Sequence, residues 1–139
     1  GMDSFRVLDG GRSCAYLDYG GSGNETHAHL AADGRITIMF CAFDQPPLIY
    51  RIYGHGRAVL PQDPEFADLA RHFTIERGVR QIFLVTVDST QESCGWAVPK
   101  MVMVEERQTL RKYHAQEEPA VRLAKYQDRN RSIDGLPVT

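Results

Sequence analysis

Apolar residues in the first half of the chain fall into short runs and alternating stretches, the spacing of strands, with helical spacing confined to brief segments. Residues 5–8 and 14–19 are apolar runs separated by Asp9-Gly10-Gly11, a turn signal, so the pattern predicts a hairpin. Gly20-Gly21-Ser22-Gly23 then breaks the chain. Residues 24–32 read as a short helix ended by Asp33-Gly34, which suits the left-handed residue that closes many helices. The run 35–43 (RITIMFCAF) is almost continuously apolar and predicts a strand covered on both faces. After a loop at Asp44-Gln45-Pro46-Pro47, residues 48–60 alternate: Arg51, Tyr53, His55 and Arg57 share one face, Tyr50, Ile52 and Ala58 the other. Gly54 and Gly56 inside that strand mark a bulge or a close approach of another backbone.

Asp63-Pro64 opens a helix in which Phe66, Leu69, Ala70 and Phe73 recur at i, i+3, i+4 and i+7, one face turned to a core. Residues 81–87 read as another two-sided strand, 89–96 as a polar segment ending in Cys94-Gly95-Trp96, and 101–104 as a candidate last strand. From Glu105 onward the chain is charged and helical, Pro119 starts a final helix, and 129–139 is loop-like. Five or six strands with short helices between and after them make a barrel-like α+β domain rather than a βαβ array. A length of 139 residues leads us to expect one domain spanning 1–139.

Composition narrows the function classes. Hydrophobic residues at 42% and charged residues at 24% exclude disordered and coiled-coil chains. Sixteen Lys and Arg against eighteen Asp and Glu, a formal charge of −2, offer no electrostatic case for binding nucleic acid or an anionic membrane. No apolar run approaches the roughly 20 residues of a membrane helix, and no signal peptide is read at the start. Cys14, Cys41 and Cys94 show no CxxC spacing. They read as small buried or half-buried hydrophobes in a reducing compartment, so a cytoplasmic location is expected.

The most suggestive local chemistry is Gly20-Gly21-Ser22-Gly23-Asn24-Glu25-Thr26. A strand, a glycine-rich turn and a helix start gather unpaired backbone N–H groups beside the Ser22, Asn24 and Thr26 side chains, where the helix dipole favours an anion. The segment is neither a Walker loop, lacking the Lys, nor GxGxxG. The alternative is a capped helix after a tight turn, with Ser22 and Glu25 as a capping box. Arg51, His55 and Arg57 along one strand face either grip a phosphate or carboxylate or form a solvated outer face. His27 and His29, two apart on a helix, point to different sides and make a poor metal pair. His72 and His114 carry no signal. Trp96, the sole tryptophan, either covers a flat ligand ring or plugs one end of a barrel.

The order of segments resembles the pyridoxamine 5′-phosphate oxidase-related family of FMN-binding split barrels. The resemblance rests on Phe5-Arg6-Val7-Leu8, Ala15-Tyr16-Leu17-Asp18-Tyr19 and the Gly21-Ser22-Gly23-Asn24-Glu25-Thr26 segment leading into His29-Leu30. It continues through the stretches 34–43 and 51–57, through 88–99 (DSTQESCGWAVP), and into the closing Ser132-Ile133-Asp134-Gly135-Leu136-Pro137. The GSGNET, SCGWAVP and SIDGLP segments are the specific ones.

The resemblance implies a split β-barrel of about six mostly antiparallel strands, paired as a homodimer with FMN at the subunit interface. By the same implication Arg6, Val7, Leu8, Tyr16 and Leu17 lie along the isoalloxazine and ribityl chain. Ser22, Gly23 and Asn24 hold the phosphate, Arg51 serves the phosphate or the ring edge, and Trp96 approaches from the partner chain. Without the basic pair of the true oxidases in its phosphate loop, the chain is not expected to oxidise pyridoxamine phosphate. Relatives carry a further strand before the point where this sequence starts, so the domain is expected to lack its N-terminal strand and to leave an open edge. The implied function is an oxidoreductase acting on a small molecule or a nicotinamide donor. The alternative is a non-catalytic dimer binding FMN, F420 or haem for storage or sensing.

Overall fold

The structure, a computed structural model, describes residues 3–127 and 130–138. Two strands, β1 (Phe5–Leu8) and β2 (Ser13–Tyr19), form the predicted hairpin across a 3-10 turn at Asp9–Gly11, whose three residues all take positive φ. After the glycine-rich break comes α1 (Glu25–Ala32), and Gly34 at φ 79° swings the chain into β3 (Arg35–Cys41). The sheet is completed by β4 (Leu48–Val59) and β5 (Val79–Cys94), with a short α2 (Phe66–Ala70) between them. Helices α3 (Thr109–Gln116) and α4 (Pro119–Gln127) follow. All neighbouring strands are antiparallel, in the order β1-β2-β5-β4-β3. The expected α+β class with an antiparallel sheet and few short helices is the observed one.

The sheet is rolled. One face gathers Cys14, Ile52 and Val85, with Phe5, Ile36, Ile38, Tyr50 and Val87 packed on them, so every strand contributes to one interior. Phe5 on β1 and Phe40 on β3 belong to the two edge strands, yet their ring centroids lie 5.0 Å apart in an edge-to-face contact. The edges therefore meet through side chains and share no hydrogen-bond ladder. This is a barrel split along one seam. On the other face Ala15, Leu17, Val59 and Ile82 are buried beneath Phe66, Leu69, Ala70 and Phe73.

Gly54 and Gly56 behave as their position in the strand requires. The β4–β5 register shifts between Tyr53 and Gly54, and a Cβ at Gly54 would fall 2.2 Å from the Thr86 carbonyl oxygen. Only a residue without a side chain lets the two backbones come this close.

Several elements differ from expectation. Strand β3 lies at a sheet edge, so only one of its faces is covered: Ile36 and Ile38 pack inward while Met39 is 56% exposed. The α2 helix holds only five residues, and Phe73 reaches the core from the turn beyond it. The Asp63 carboxylate accepts the Leu60 N–H (2.7 Å), inside the turn before α2. Strand β5 runs on through the polar stretch 89–94, which pairs with residues 48–53 of β4. Residues 101–104 form no strand; their side chains are largely exposed, and Met101 N–H donates to the Phe43 carbonyl (2.9 Å). The sheet thus has five strands among the described residues, within the five or six that the pattern predicts. Of the predicted loop-like tail, Arg129 and Thr139 lie outside the described residues. Cys14 is buried and Cys41 half-buried as read, whereas Cys94 is exposed. Among the described residues no helix is long and apolar enough to cross a membrane.

Gly54→Ala is expected to destabilise the fold by about 1–3 kcal/mol, the cost of forcing a methyl into a filled space. Gly21→Ala, whose Cβ would meet nothing closer than the Tyr19 carbonyl oxygen at 3.9 Å, should change stability little. Urea denaturation of both variants checks the contrast.

Candidate functional site

The glycine-rich segment 20–24 is held from three sides. Gly20 N–H donates to the Gly78 carbonyl (2.8 Å), and its own carbonyl accepts from His114 Nε2–H (3.0 Å). The His114 ring is buried against Gly78, where a Cβ would sit 2.3 Å from the ring and φ is 96°. Arg80 Nη1 donates to the Gly23 carbonyl (2.9 Å) while its Nε holds Asp18 Oδ2 (2.8 Å). Arg111 of α3 pairs with Glu76 (2.7 Å), and Arg77 donates to the Ala115 carbonyl (2.9 Å), so α3 is docked on the turn before β5.

Gln81, with no solvent exposure, links this loop to the barrel. Its Nε2 donates to Asp18 Oδ2 (2.8 Å) and to Asn24 Oδ1 (2.9 Å), and its Oε1 lies 2.7 Å from His27 Nδ1. Both amide protons are used, so Oε1 can only accept, and the His27 proton on this contact is on Nδ1. One buried side chain thereby fixes β2, the loop and the first turn of α1 at once. Tyr16 extends the cluster. Its ring lies 5.0 Å from Phe83, its hydroxyl bonds Thr26, and burial pushes its ionisation up to about 12.

This arrangement leaves the start of α1 open. Asn24 occupies the N-cap position but its side chain makes no cap bond, its oxygen being engaged by Gln81. The proposed capping box does not form: Glu25 is the first helical residue and its Oε2 accepts from Ile133 N–H (3.0 Å). With no side-chain cap from Asn24, the start of α1 lies at the positive end of a helix dipole, which suits an anion. Gly20, Gly21 and Ser22 also line a cavity of about 260 Å³ with Tyr113, His114, Glu117 and Lys125. There the Lys125 ammonium lies 2.6 Å from Glu117 and holds that carboxyl below its ordinary range.

The residues expected at the site are dispersed. Ser22, Gly23 and Asn24 stand together in the loop, and Tyr16 is tied to Thr26 just beyond it. Arg6 points the other way: Asp3 takes its guanidinium (2.7 and 2.8 Å), the His72 carbonyl takes Nε (2.8 Å), and the Phe73 ring lies beneath at 5.2 Å. Leu8 and Leu17 belong to the core packed under α2, whereas Val7 is 63% exposed. Arg51 is half-buried and donates to Ser93 Oγ (2.9 Å). Trp96 is 84% exposed beside a cavity of about 250 Å³ at the distant end of β4 and β5, so it plugs no barrel end within this chain. The Arg51, His55 and Arg57 face does not converge on one point, because His55 is bonded to Asp88 (2.8 Å) and Arg57 to Glu65.

Sequence reasoning missed Arg80, Gln81 and Asp18, and passed over His27 and His114. A polar Arg-Gln pair directly before the apolar run 82–85 was the available signal for the first two; for a buried helical His no local signal exists.

Comparison with known proteins finds a relative by sequence. The chain is 33% identical, over 150 aligned residues, to "Pyridoxamine 5'-phosphate oxidase family protein ustO" of Aspergillus flavus. The alignment takes in 96% of this chain and 60% of that protein, so the chain spans about three fifths of the length of the curated relative it matches. No family model matches the chain. The family that the motifs resemble is the family of this relative.

Gln81→Met, close in volume but without the amide, should destabilise the chain by about 1–3 kcal/mol or more, since Asp18, Asn24 and His27 all lose a buried partner. A denaturation midpoint equal to that of the parent chain would remove Gln81 from its central place.

Proposed function

We propose that this chain, related by sequence to the pyridoxamine 5′-phosphate oxidase family, binds FMN and passes a hydride or electron pair between it and a small molecule or a nicotinamide. The observation that carries this reading is the uncapped first turn of α1, set behind a loop made rigid by Arg80, Gln81 and His114. Rigid, preorganised N–H donors bind a phosphate without the ordering cost that a mobile loop incurs. Lys125, across the cavity that Ser22 borders, is an ammonium that a phosphate would share with Glu117.

FMN, when bound, supplies reversible hydride and electron transfer, and the protein supplies position and electrostatics. In this reading Ser22, Gly23 and Asn24 hold the phosphate through hydroxyl, backbone and amide groups. Val7, the exposed member of the β1–β2 set, offers apolar surface to the ring. Arg51 has one guanidinium nitrogen on Ser93 and the remainder to offer the ring edge or phosphate. Arg6, Leu8 and Leu17 act one step back, as the packed support of that hairpin.

The proposal includes a second copy of the chain. Met39, Phe43, Trp96 and Met101 to Val104 are large apolar residues at 47–92% exposure, more than scattered surface hydrophobes account for. Pairing through this face buries them and brings the partner's Trp96 to the flavin.

Ser22→Ala should weaken FMN binding by about 1.5–3 kcal/mol, the range for a hydrogen bond to a charged group, and leave riboflavin, which lacks the phosphate, unaffected. Equal losses for both ligands, or none for either, contradict the phosphate position. Fluorescence titration of the two flavins against parent and variant measures the difference.

A further inference from the structure

On the solvent side of α1 the structure gathers three metal-ligating side chains away from the phosphate loop's cavity. We propose that Glu25, His29 and Asp134 bind a divalent transition-metal ion of the zinc or manganese type, where α1 meets the C-terminal turn. The inference does not rest on the flavin reading.

Glu25 and His29 stand one helical turn apart, so their side chains share the exposed face of α1, while His27, Ala28 and Leu30 point into the protein. Asp134 comes from a turn more than a hundred residues later in the chain. That turn is firmly built: Ser132 N–H donates to the Leu136 carbonyl (2.9 Å), Leu136 N–H to Ser132 Oγ (2.9 Å), and Arg131 bridges Pro137. Ser132 Oγ also donates to Asp134, which fixes the carboxylate. The turn is then seated on α1 by Ile133 N–H on Glu25 (3.0 Å) and by His29 Nε2 at 3.2 Å from Asp134 Oδ1. One donor atom from each of Glu25, His29 and Asp134 lies within 4.8 Å of the others. An ion with bonds of about 2.0–2.2 Å fits between them after small rotamer adjustments.

The donor set selects the class of ion. One imidazole with two carboxylates suits zinc, manganese or ferrous iron better than magnesium, which prefers oxygen and retained water. Charge points the same way. Two carboxylates carry more negative charge than one imidazole offsets, and a divalent cation relieves that repulsion. His29 and Asp134 of the cluster border a cavity of about 530 Å³ that also holds Asp33, Arg35, His55 and Asp88. Arg35 is committed to Asp33 (2.5 Å), so the cavity retains an excess of negative charge. Across it, Asp88 holds His55 through Nδ1 (2.8 Å), the carboxylate–imidazole couple that commonly orients a ring beside a metal. Three protein ligands leave coordination positions facing the cavity, open to water or to a small oxygen ligand.

The test is calorimetric titration of zinc, and separately manganese, into the full chain after EDTA treatment and desalting. One ion per chain is expected. His29→Ala and Asp134→Asn should weaken binding by at least the roughly 10- to 100-fold that loss of even an outer partner costs, with exposed His72→Ala unchanged. Glu25→Gln keeps an oxygen for Ile133 N–H, so it preserves the seat of the turn while removing a charged ligand; it too should weaken the metal. Failure of both ions to bind, or equal binding by parent, H29A and E25Q, overturns the proposal and leaves the cluster as an ion pair that seats the turn.

Discussion

A single buried amide organises the functional end of this protein. Gln81 sits inside the barrel wall on β5 with no contact with solvent, and a buried amide must satisfy both its donors and its acceptor or destabilise the fold. It does so by reaching β2 through Asp18, the glycine-rich loop through Asn24, and α1 through His27. Taking Asn24 away from capping duty is the consequence that matters. The helix start stays open toward solvent while its position is fixed from behind.

The barrel supplies the rigidity on which that arrangement depends. Strand β5 is central, paired along its length with β2 and β4, and its apolar residues feed the cores on both faces of the sheet. The edge strands β1 and β3 are not paired by hydrogen bonds and meet through side chains, Phe5 on Phe40 among them. The polar half of β5 and the exposed face of β3 lie beyond the packed interior, which is where the large exposed apolar side chains accumulate. Buried and half-buried polar contacts are thus concentrated around the loop.

What was legible in the sequence was local. The β1–β2 hairpin follows from Asp9-Gly10-Gly11, the end of α1 from Gly34, and the β4 bulge from Gly54, because each depends on backbone conformations a few residues wide. The edge position of β3 was not legible, since RITIMFCAF looks the same whether its second face is covered by this chain, by another copy, or by nothing. Nor were the network residues: His27 meets Gln81 across 54 positions and His114 meets Gly20 across 94, and no spacing rule connects such partners. The glycine-rich segment offered a phosphate cradle and a capping box as alternatives, and the capping box was excluded only when Glu25 and Asn24 were found bonded elsewhere. The resemblance to the pyridoxamine 5′-phosphate oxidase family was carried by short specific segments, and the similar protein from Aspergillus flavus aligns with 96% of the chain.

The central claim is that the open helix start and its rigid loop hold a flavin phosphate. The most direct measurement is the absorption spectrum of the purified chain after saturation with FMN and removal of unbound ligand by desalting. The account predicts that flavin absorbance stays with the protein in stoichiometric amount. A protein fraction with no flavin absorbance, and all FMN recovered among the small molecules, would contradict it.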